Sequence, residues 1–324
     1  MTGRAALANE RPAVQAGKVS GDLQLRSSCT TILYTPQRAG GRTGCFAYTS
    51  TSGISTGDVM ANKDGRVIAR ANEFRVLRAI HRFGWLRTRD LAGLCWTQWH
   101  TKPVAPLSLT NVNSTASALR MAQRTLKRLR TMRYVISAQA PDGSTLYTLS
   151  EAGGRLLKRA GIEAASGKDL VRGFSSAYFR HRCIANEIAI SGITQGFRVS
   201  TEREISQGVW LGGEAGILGK RPDVVLRYGK RVIFCEVEKS RKKVTEYQAL
   251  LRWLGKILLL QKLSGDGARI GSEVILERVI FICTQAFRTK LQKDLETAGW
   301  SAEQQSSVIH YSCELYMFRD ILFP

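Results

Sequence analysis

The chain has 324 residues, 44% of them hydrophobic and 8% aromatic, which is the composition of a folded protein long enough for two ordinary domains. Its 48 lysines and arginines against 26 aspartates and glutamates give a formal net charge of +22, which favours a polyanionic partner such as nucleic acid or an anionic membrane surface. No uncharged apolar run reaches the ~18 residues of a membrane span, and the N-terminal end lacks the apolar core of a signal peptide. Seven cysteines without a CxxC pair predict neither a disulfide framework nor a zinc site, so a reducing cytoplasm is the expected location.

Residues 1–62 are rich in Gly, Ser, Thr and Ala and show no sustained hydrophobic period. A segment of this composition cannot bury enough apolar surface to offset the entropy lost on ordering. We therefore expect a disordered leader that takes no part in the chemistry.

Two helices are predicted next. The stretch NEFRVLRAIHRFGWL has apolar residues at helical spacing behind Asn72, which has the side chain of an N-cap residue. RTRDLAGLC follows as a second, short helix. Their apolar faces predict a small helical core.

The third predicted helix, from Thr115 to Met132, has two chemically different faces. Apolar residues recur at spacings of three and four and predict a packed face, formed by Leu119, Ala122, Leu126 and Leu129. At 100° per residue, four basic side chains fall on the opposite face, where they are free to contact phosphates: Arg120, Arg124, Lys127 and Arg128.

A β-hairpin is predicted directly after this helix. YVISAQ and TLYTLS are rich in β-branched and aromatic residues, and Asp142-Gly143 suits the turn between them. Residues 60–161 contain 18 Lys and Arg against 5 Asp and Glu, a net charge of +13. Three helices followed by a hairpin is the order of a winged helix, so we predict a winged-helix DNA-binding domain over residues 63–161. A solvated basic face on a helical bundle is the alternative.

Residues 162–174 are interpreted as a linker, and residues 175–324 as a second domain. Helix SSAYFRHRCIANEIAIS precedes strands FRVS, DVVLRY and RVIFCEVE, a long helix at 244–263, strand RVIFICT and helix AFRTKLQKDLETAG. This order predicts an α/β (α+β) domain with a mixed central sheet flanked by helices.

Three carboxylates are predicted to converge at one end of that sheet. Side chains alternate along a strand, so Glu236 and Glu238 share a face, and the short YGK turn at 228–230 lets a hairpin bring Asp223 beside them. Uncompensated buried carboxylates are costly, so the cluster requires a cation. Oxygen ligands of this kind suit Mg²⁺ or Mn²⁺, which would polarise a phosphodiester and activate a water for hydrolysis or nicking.

RPDVVL followed by VIFCEVEKS resembles the PD-(D/E)xK signature of restriction-endonuclease-like nucleases. A winged helix followed by this core is similar to the replication-relaxation family of mobile elements and to MobC-type relaxases of mobilisable plasmids, over about residues 65–324. The resemblance implies that Asp223, Glu236 and Glu238 bind the metal and that a lysine positions or activates the nucleophile. Lys239 departs from the pattern, because the expected lysine position holds Glu238 and strict alternation turns Lys239 to the other face.

Two further residues are candidates for the same site. Glu187, on the helix before the core, would supply a fourth acidic metal ligand, as in many such nucleases; a solvent-exposed helix position is the alternative. Tyr247, one turn into the helix after the motif, would be a nucleophile that forms a covalent DNA intermediate; a packing tyrosine is the alternative.

The resemblance implies a DNA-processing protein of a plasmid, integrative element or phage. It would bind double-stranded DNA at an origin or transfer site and nick one strand, relaxase-like, in mobilisation or replication initiation. Homodimer formation and relaxosome accessory proteins are further expected partners, and a membrane is not. The alternatives are a catalytically inactive replication or transcription regulator, in which Glu236 pairs with Arg221 or Arg231, and a transposon end-cutting endonuclease.

Overall fold

The computed structural model describes most of the chain after residue 63. The described ranges are 64–104, 107–109, 113–172, 176–238, 243–265, 267–270 and 274–314. The predicted leader, residues 1–62, and the candidate Lys239 lie outside these ranges. The described residues belong to one compact unit, Asn62–Pro324.

Helices and a small sheet make up the first part of this unit: α1 (Gly65–Phe83), β1 (Trp85–Arg87), α2 (Thr88–Cys95), α3 (Ala116–Thr131), β2 (Val135–Gln139), β3 (Thr145–Leu149) and α4 (Glu151–Arg159). Both β1 and β2 pair antiparallel with β3, so that Leu86 and Ser137 flank Tyr147. Helices α2 and α3 and the β2–β3 hairpin occur where the sequence predicts them. The sequence does not predict β1, because three residues are too few to show an alternating pattern.

Helix α1 begins earlier than the sequence predicts. The Asp64 side chain accepts a hydrogen bond from Arg66 N (2.9 Å) and caps the helix there. Asn72, the predicted N-cap, is buried inside α1. The prediction was wrong because the exposed Val67 and Ile68 give the first turns no apolar face that aligns with the rest of the helix.

The second part follows a short 3₁₀ helix (Lys168–Val171). Its elements are α5 (Ser176–Thr194), β4 (Arg198–Ser200), α6 (Glu202–Ser206), β5 (Val224–Tyr228), β6 (Arg231–Glu238), α7 (Val244–Ser264), β7 (Ala268–Ile270), β8 (Val274–Cys283), α8 (Gln285–Thr297), α9 (Ala302–Val308) and β9 (Ile309–Ser312). The sequence does not predict α6, β7, α9 or β9, all of them short, and it starts β8 at Arg278.

These strands form a mixed sheet in the order β4-β5-β6-β8-β7, with β9 also paired to β8. The β6–β8 and β8–β9 pairs are parallel, and the remaining pairs are antiparallel. The chain is therefore a mixed α/β protein, which confirms the predicted class at this level.

Helices cover both faces of the central strand β6. Ile233 and Cys235 belong to a hydrophobic cluster that includes Ile188 of α5. Val232 and Phe234 belong to a second cluster, with Trp253 and other residues of α7. Because side chains alternate along β6, Glu236 and Glu238 lie on the face that α7 covers.

The first of these clusters is shared by the two parts of the chain, since it contains residues of α1, α2 and α3 together with residues of α5 and the large sheet. The predicted linker also packs against the first part, because Ala164 is buried and Gly167 N donates to Leu149 O (2.9 Å). Arg82 extends this interface from α1, with Nη2 donating to Val199 O (2.7 Å). The small sheet and the large sheet are therefore joined by a common core.

Candidate active site and nucleic acid interface

Helix α3 has the two faces that its sequence predicts. Its apolar side packs into the core through Ala122, Leu126 and Leu129, and Leu119 packs against the edge of that core. The four predicted basic side chains are all exposed: Arg120, Arg124, Lys127 and Arg128. Thr115 caps the helix by accepting from Ala118 N.

Among the four, Arg128 is partly engaged, because its Nε lies 2.7 Å from Glu73 Oε1 of α1. Within the described ranges, no carboxylate forms an ion pair with Arg120, Arg124 or Lys127. Three positive charges on one exposed helix face are therefore available to an external anion.

The hairpin β5–β6 brings Asp223 to the strand that carries the two glutamates. Val224 pairs with Cys235, so Asp223 lies at the position opposite Glu236. Val237 N donates a hydrogen bond of 2.8 Å to Asp223 Oδ2, and Asp223 N donates to Cys235 O (3.2 Å). We refer to Asp223, Glu236 and Glu238 as the carboxylate cluster.

The carboxylate cluster is largely removed from solvent. Glu236 is 3% exposed and Glu238 5% exposed, while the Asp223 side chain is 23% exposed. Burial, together with the negative charges of Asp223 and Glu238, raises the pKa of Glu236 to about 7 against the opposing effect of a lysine. The three carboxylates therefore repel one another at short range, as the hairpin geometry predicts.

Lys220 is the lysine that faces Glu236. Its Nζ lies 2.7 Å from Glu236 Oε2, and its side chain is 21% exposed. Burial alone would lower the pKa of Lys220, but the Glu236 carboxylate outweighs that effect and raises it. Lys220 thus has the role that the regulator alternative gives to Arg221 or Arg231.

His181 is the second basic side chain at the cluster. Its Nε2 lies 3.3 Å from Asp223 Oδ2, and its Nδ1 lies 3.8 Å from Glu202 Oε2. Burial tends to lower the pKa of His181, whereas its hydrogen bond to Asp223 and the nearby carboxylates raise it overall. Burial tends to raise the pKa of Asp223, but His181 and the Val237 N–H lower it below its usual value.

The sequence predicts neither Lys220 nor His181 at the cluster. Lys220 stands three residues before Asp223 in the stretch GKRPD, which is the one local signal that could have identified it. A turn with Leu218 and Gly219 at positive φ and an antiparallel bridge between Ile217 and Lys220 directs it toward the sheet. His181 lies on α5 and has no comparable signal, because its position depends on how α5 packs across the sheet.

The donor atoms of the cluster suit a hard divalent cation, but their arrangement fits one only in part. Glu236 Oε1 is buried and has no hydrogen-bond partner among the described residues, so one ligand oxygen is still unsatisfied. In the described part of the chain, however, no group of three or more His, Cys, Asp or Glu residues is placed to hold a metal ion. The carboxylates fit Mg²⁺ or Mn²⁺ by chemistry, and in this conformation Lys220 contacts Glu236 and His181 contacts Asp223.

Glu187 has partners that neither prediction for it anticipates. It is 4% exposed, so the exposed-helix alternative is wrong. Its Oε1 lies 3.2 Å from Arg87 Nη2 and 3.5 Å from Arg89 Nη2. Arg87 is itself 2% exposed and makes paired hydrogen bonds to Asp90. The structure thus places Glu187 in a buried ion-pair network with Arg87 and Arg89.

Tyr247 is a packing residue. Its hydroxyl donates to Asp294 Oδ2 (2.7 Å), and its ring contacts Phe287 edge to face. Burial and the Asp294 carboxylate both raise the pKa of Tyr247. A phenol held in this way is a weak nucleophile, so the packing alternative is the better description.

Comparison with protein-family models, with curated proteins and with solved structures finds no match for this chain. Of the helices in the described ranges, none combines the length and apolarity that crossing a membrane requires. A proposal for function therefore depends on the residues of the chain itself.

Proposed function

We propose that the protein binds duplex DNA through a winged helix formed by residues 63–161 and nicks one strand at the carboxylate cluster with Mg²⁺ or Mn²⁺. The observation that carries this proposal is the position of Asp223, Glu236 and Glu238 at one end of a buried hairpin, in a chain with a strongly basic helix. A relaxase-like role in the mobilisation or replication of a mobile element follows from the resemblance of RPDVVL and VIFCEVEKS to the PD-(D/E)xK signature.

The winged-helix part is supported by element order and charge. Helix α3 follows the short α2 and precedes the β2–β3 hairpin, which is the position of a recognition helix in such domains. Its exposed face carries Arg120, Arg124 and Lys127, and phosphate contacts of this kind supply most of the affinity of sequence-independent DNA binding. The hairpin then corresponds to the wing.

The nuclease part is supported by the placement of acids on two adjacent strands of a mixed sheet with a lysine beside them. In this chain, the Val237 N–H orients Asp223 and Lys220 keeps a positive charge against Glu236. A bound divalent ion would polarise the phosphodiester and lower the pKa of the attacking water. Among the described residues, Lys220 is the lysine that contacts an acid of the cluster.

A nicking assay on supercoiled plasmid that carries DNA of the protein's own element tests the proposal. The wild type should convert supercoiled to nicked circles with Mg²⁺ or Mn²⁺, and Asp223→Asn should not. Glu303→Gln removes a carboxylate from the exposed surface of α9 and serves as the matched control, because it should nick as the wild type does. Both variants should bind duplex DNA with wild-type affinity.

A DNA-binding regulator without catalysis is the second candidate. It is favoured by the finding that Glu236 and Asp223 each have a basic side chain beside them, Lys220 and His181 respectively. Wild-type protein that binds its element's DNA tightly and leaves it uncut under all metal conditions would establish this alternative.

A further inference from the structure

A pocket of about 470 Å³ adjoins the carboxylate cluster on the α7 side of the sheet. One wall is the turn that ends at Lys220, and the other is the first half of α7, with Arg252, Trp253 and Lys256. This size lies within the range of small-ligand sites, about 300–1,000 Å³. The pocket is therefore large enough for one nucleotide unit.

The α7 wall of the pocket packs against β6, the strand that contains Glu236 and Glu238. Trp253 stacks on Phe234 of β6 with ring centroids 6.1 Å apart and planes 6° apart. Its indole Nε1 donates to Ile217 O (3.3 Å), which ties α7 to the turn before Lys220. Trp253 thus holds the α7 wall of the pocket against both the strand of Glu236 and the turn before Lys220.

Positive charge dominates the lining, with Lys220, Arg252 and Lys256 against the single carboxylate of Glu246. Arg252 and Lys256 are exposed and one helical turn apart, a like-charge spacing that destabilises an isolated helix. Neither forms an ion pair with a carboxylate of the described residues. Two unneutralised cations at one pocket mouth are suited to bind a phosphate.

Lys220 links this pocket to the carboxylate cluster, because it lines the pocket and also contacts Glu236 Oε2 at 2.7 Å. We propose that the pocket binds a backbone phosphate of the DNA strand that crosses the carboxylate cluster, next to the bond to be cut. The assignment of DNA as ligand rests on the proposed function, whereas the phosphate chemistry rests on Arg252 and Lys256.

The test uses the full chain in EDTA and an oligothymidylate of about six nucleotides, within the usual site size for single strands. Binding is followed by fluorescence anisotropy across a salt series. The variant with Arg252→Gln and Lys256→Gln should bind more weakly, and its slope of log K against log salt should fall by roughly 0.7, the contribution of the one single-strand phosphate contact that is lost.

A matched control removes two exposed charges outside the pocket, with Arg269→Gln and Lys293→Gln, and should leave the slope unchanged. An equal loss in both double variants would overturn the proposal, since it would reflect net charge alone. Binding of thymidine monophosphate as tightly as the oligonucleotide would also overturn it, because the ligand would then be a free nucleotide. Melting curves for each double variant verify that it is folded.

The same variants separate this proposal from the proposed function. If the wild type nicks DNA and the Arg252→Gln, Lys256→Gln variant binds the oligonucleotide as the wild type does, the phosphate pocket is overturned and the proposed function stands. If the wild type does not nick DNA but the Arg252→Gln, Lys256→Gln variant loses oligonucleotide binding, the phosphate pocket is supported and the nuclease proposal is overturned.

Discussion

Lys220 Nζ lies 2.7 Å from Glu236 Oε2, and this contact supplies the cation that the buried glutamate requires. Glu236 is almost fully buried, whereas Lys220 is partly exposed and lines the neighbouring pocket. The pair therefore connects the interior of the carboxylate cluster with a surface that an anionic ligand can reach.

Lys220→Met should destabilise the protein at neutral pH by roughly 1–3 kcal/mol, because it leaves the Glu236 carboxylate buried without its partner. Adding Glu236→Gln to that variant should recover part of the loss, since the uncompensated charge is then gone. Urea unfolding of the wild type, the two single variants and the double variant gives the coupling free energy between Lys220 and Glu236.

Lys290→Met is the matched control for that experiment, because the Lys290–Asp294 ion pair has side chains 59% and 31% exposed. An exposed pair of this kind contributes about 0–1 kcal/mol. If Lys220→Met and Lys290→Met lower the free energy of unfolding equally, the contact of Lys220 with Glu236 contributes no more to stability than an exposed ion pair does.

The pH dependence of stability should reveal Glu236. Its folded-state pKa is about 7 against an ordinary value of 4.5, so the folded state holds the proton more tightly than the unfolded chain. Its contribution is fully present below pH 4.5 and is lost as the pH rises to about 7, a change on the order of a few kcal/mol. Melting temperatures in EDTA should fall over this window in the wild type and stay flatter in Glu236→Gln. Parallel curves for the two proteins would contradict the raised pKa.

The basic face of α3 should govern affinity for duplex DNA. Changing Arg120, Arg124 and Lys127 to Ala should weaken binding and lower the salt slope by roughly 0.9 for each phosphate contact that is lost. Filter binding or anisotropy across a salt series measures both quantities.

A charge-matched control for α3 changes Arg155, Lys158 and Arg159 of α4 to Ala, which removes the same charge from another exposed helix of the first part. This control should retain most of the slope. If both triple variants lose the same slope, the DNA contacts are spread over the basic surface and α3 is not the recognition helix.

A divalent ion should stabilise the folded protein if the carboxylate cluster binds it. Binding to the folded state alone adds about 2.7 kcal/mol at an ion concentration of about 100 times Kd, so Mn²⁺ should raise the Tm of the wild type. Asp223→Asn should abolish this rise, and Glu303→Gln should preserve it. A Tm that is indifferent to Mn²⁺ and Mg²⁺ in the wild type would favour the regulator.

Glu187→Gln should lower stability, by roughly 1–3 kcal/mol, because it removes one of the carboxylates that compensate the buried Arg87. The rise of Tm with Mn²⁺ should remain intact, since Glu187 is engaged by arginines. Glu163→Gln, in an exposed pair with Lys158, should change stability by no more than about 0.5 kcal/mol. Loss of the Mn²⁺ effect in Glu187→Gln would restore Glu187 as a metal ligand.

The local pattern of the sequence determines the hairpin of the candidate site. Strand β6 occurs over the predicted residues, and the short turn after Tyr228 leaves one register for β5, so Asp223 must meet Glu236 at the far end. The faces of α3 are determined in the same way, because helical periodicity separates its apolar residues from its arginines. The short strands β7 and β9 carry no such signal and form through pairing with β8.

Only the tertiary structure decides what balances the charge of the carboxylates. Whether a buried glutamate faces a lysine, a histidine or an ion depends on side chains brought from a turn and from another helix, which strand alternation does not specify. Lys220 reaches Glu236 because a tight turn directs it there, and His181 reaches Asp223 because α5 packs across the sheet. Glu187 lies on the predicted helix, yet its partner Arg87 comes from the end of β1, a strand that sequence periodicity does not reveal.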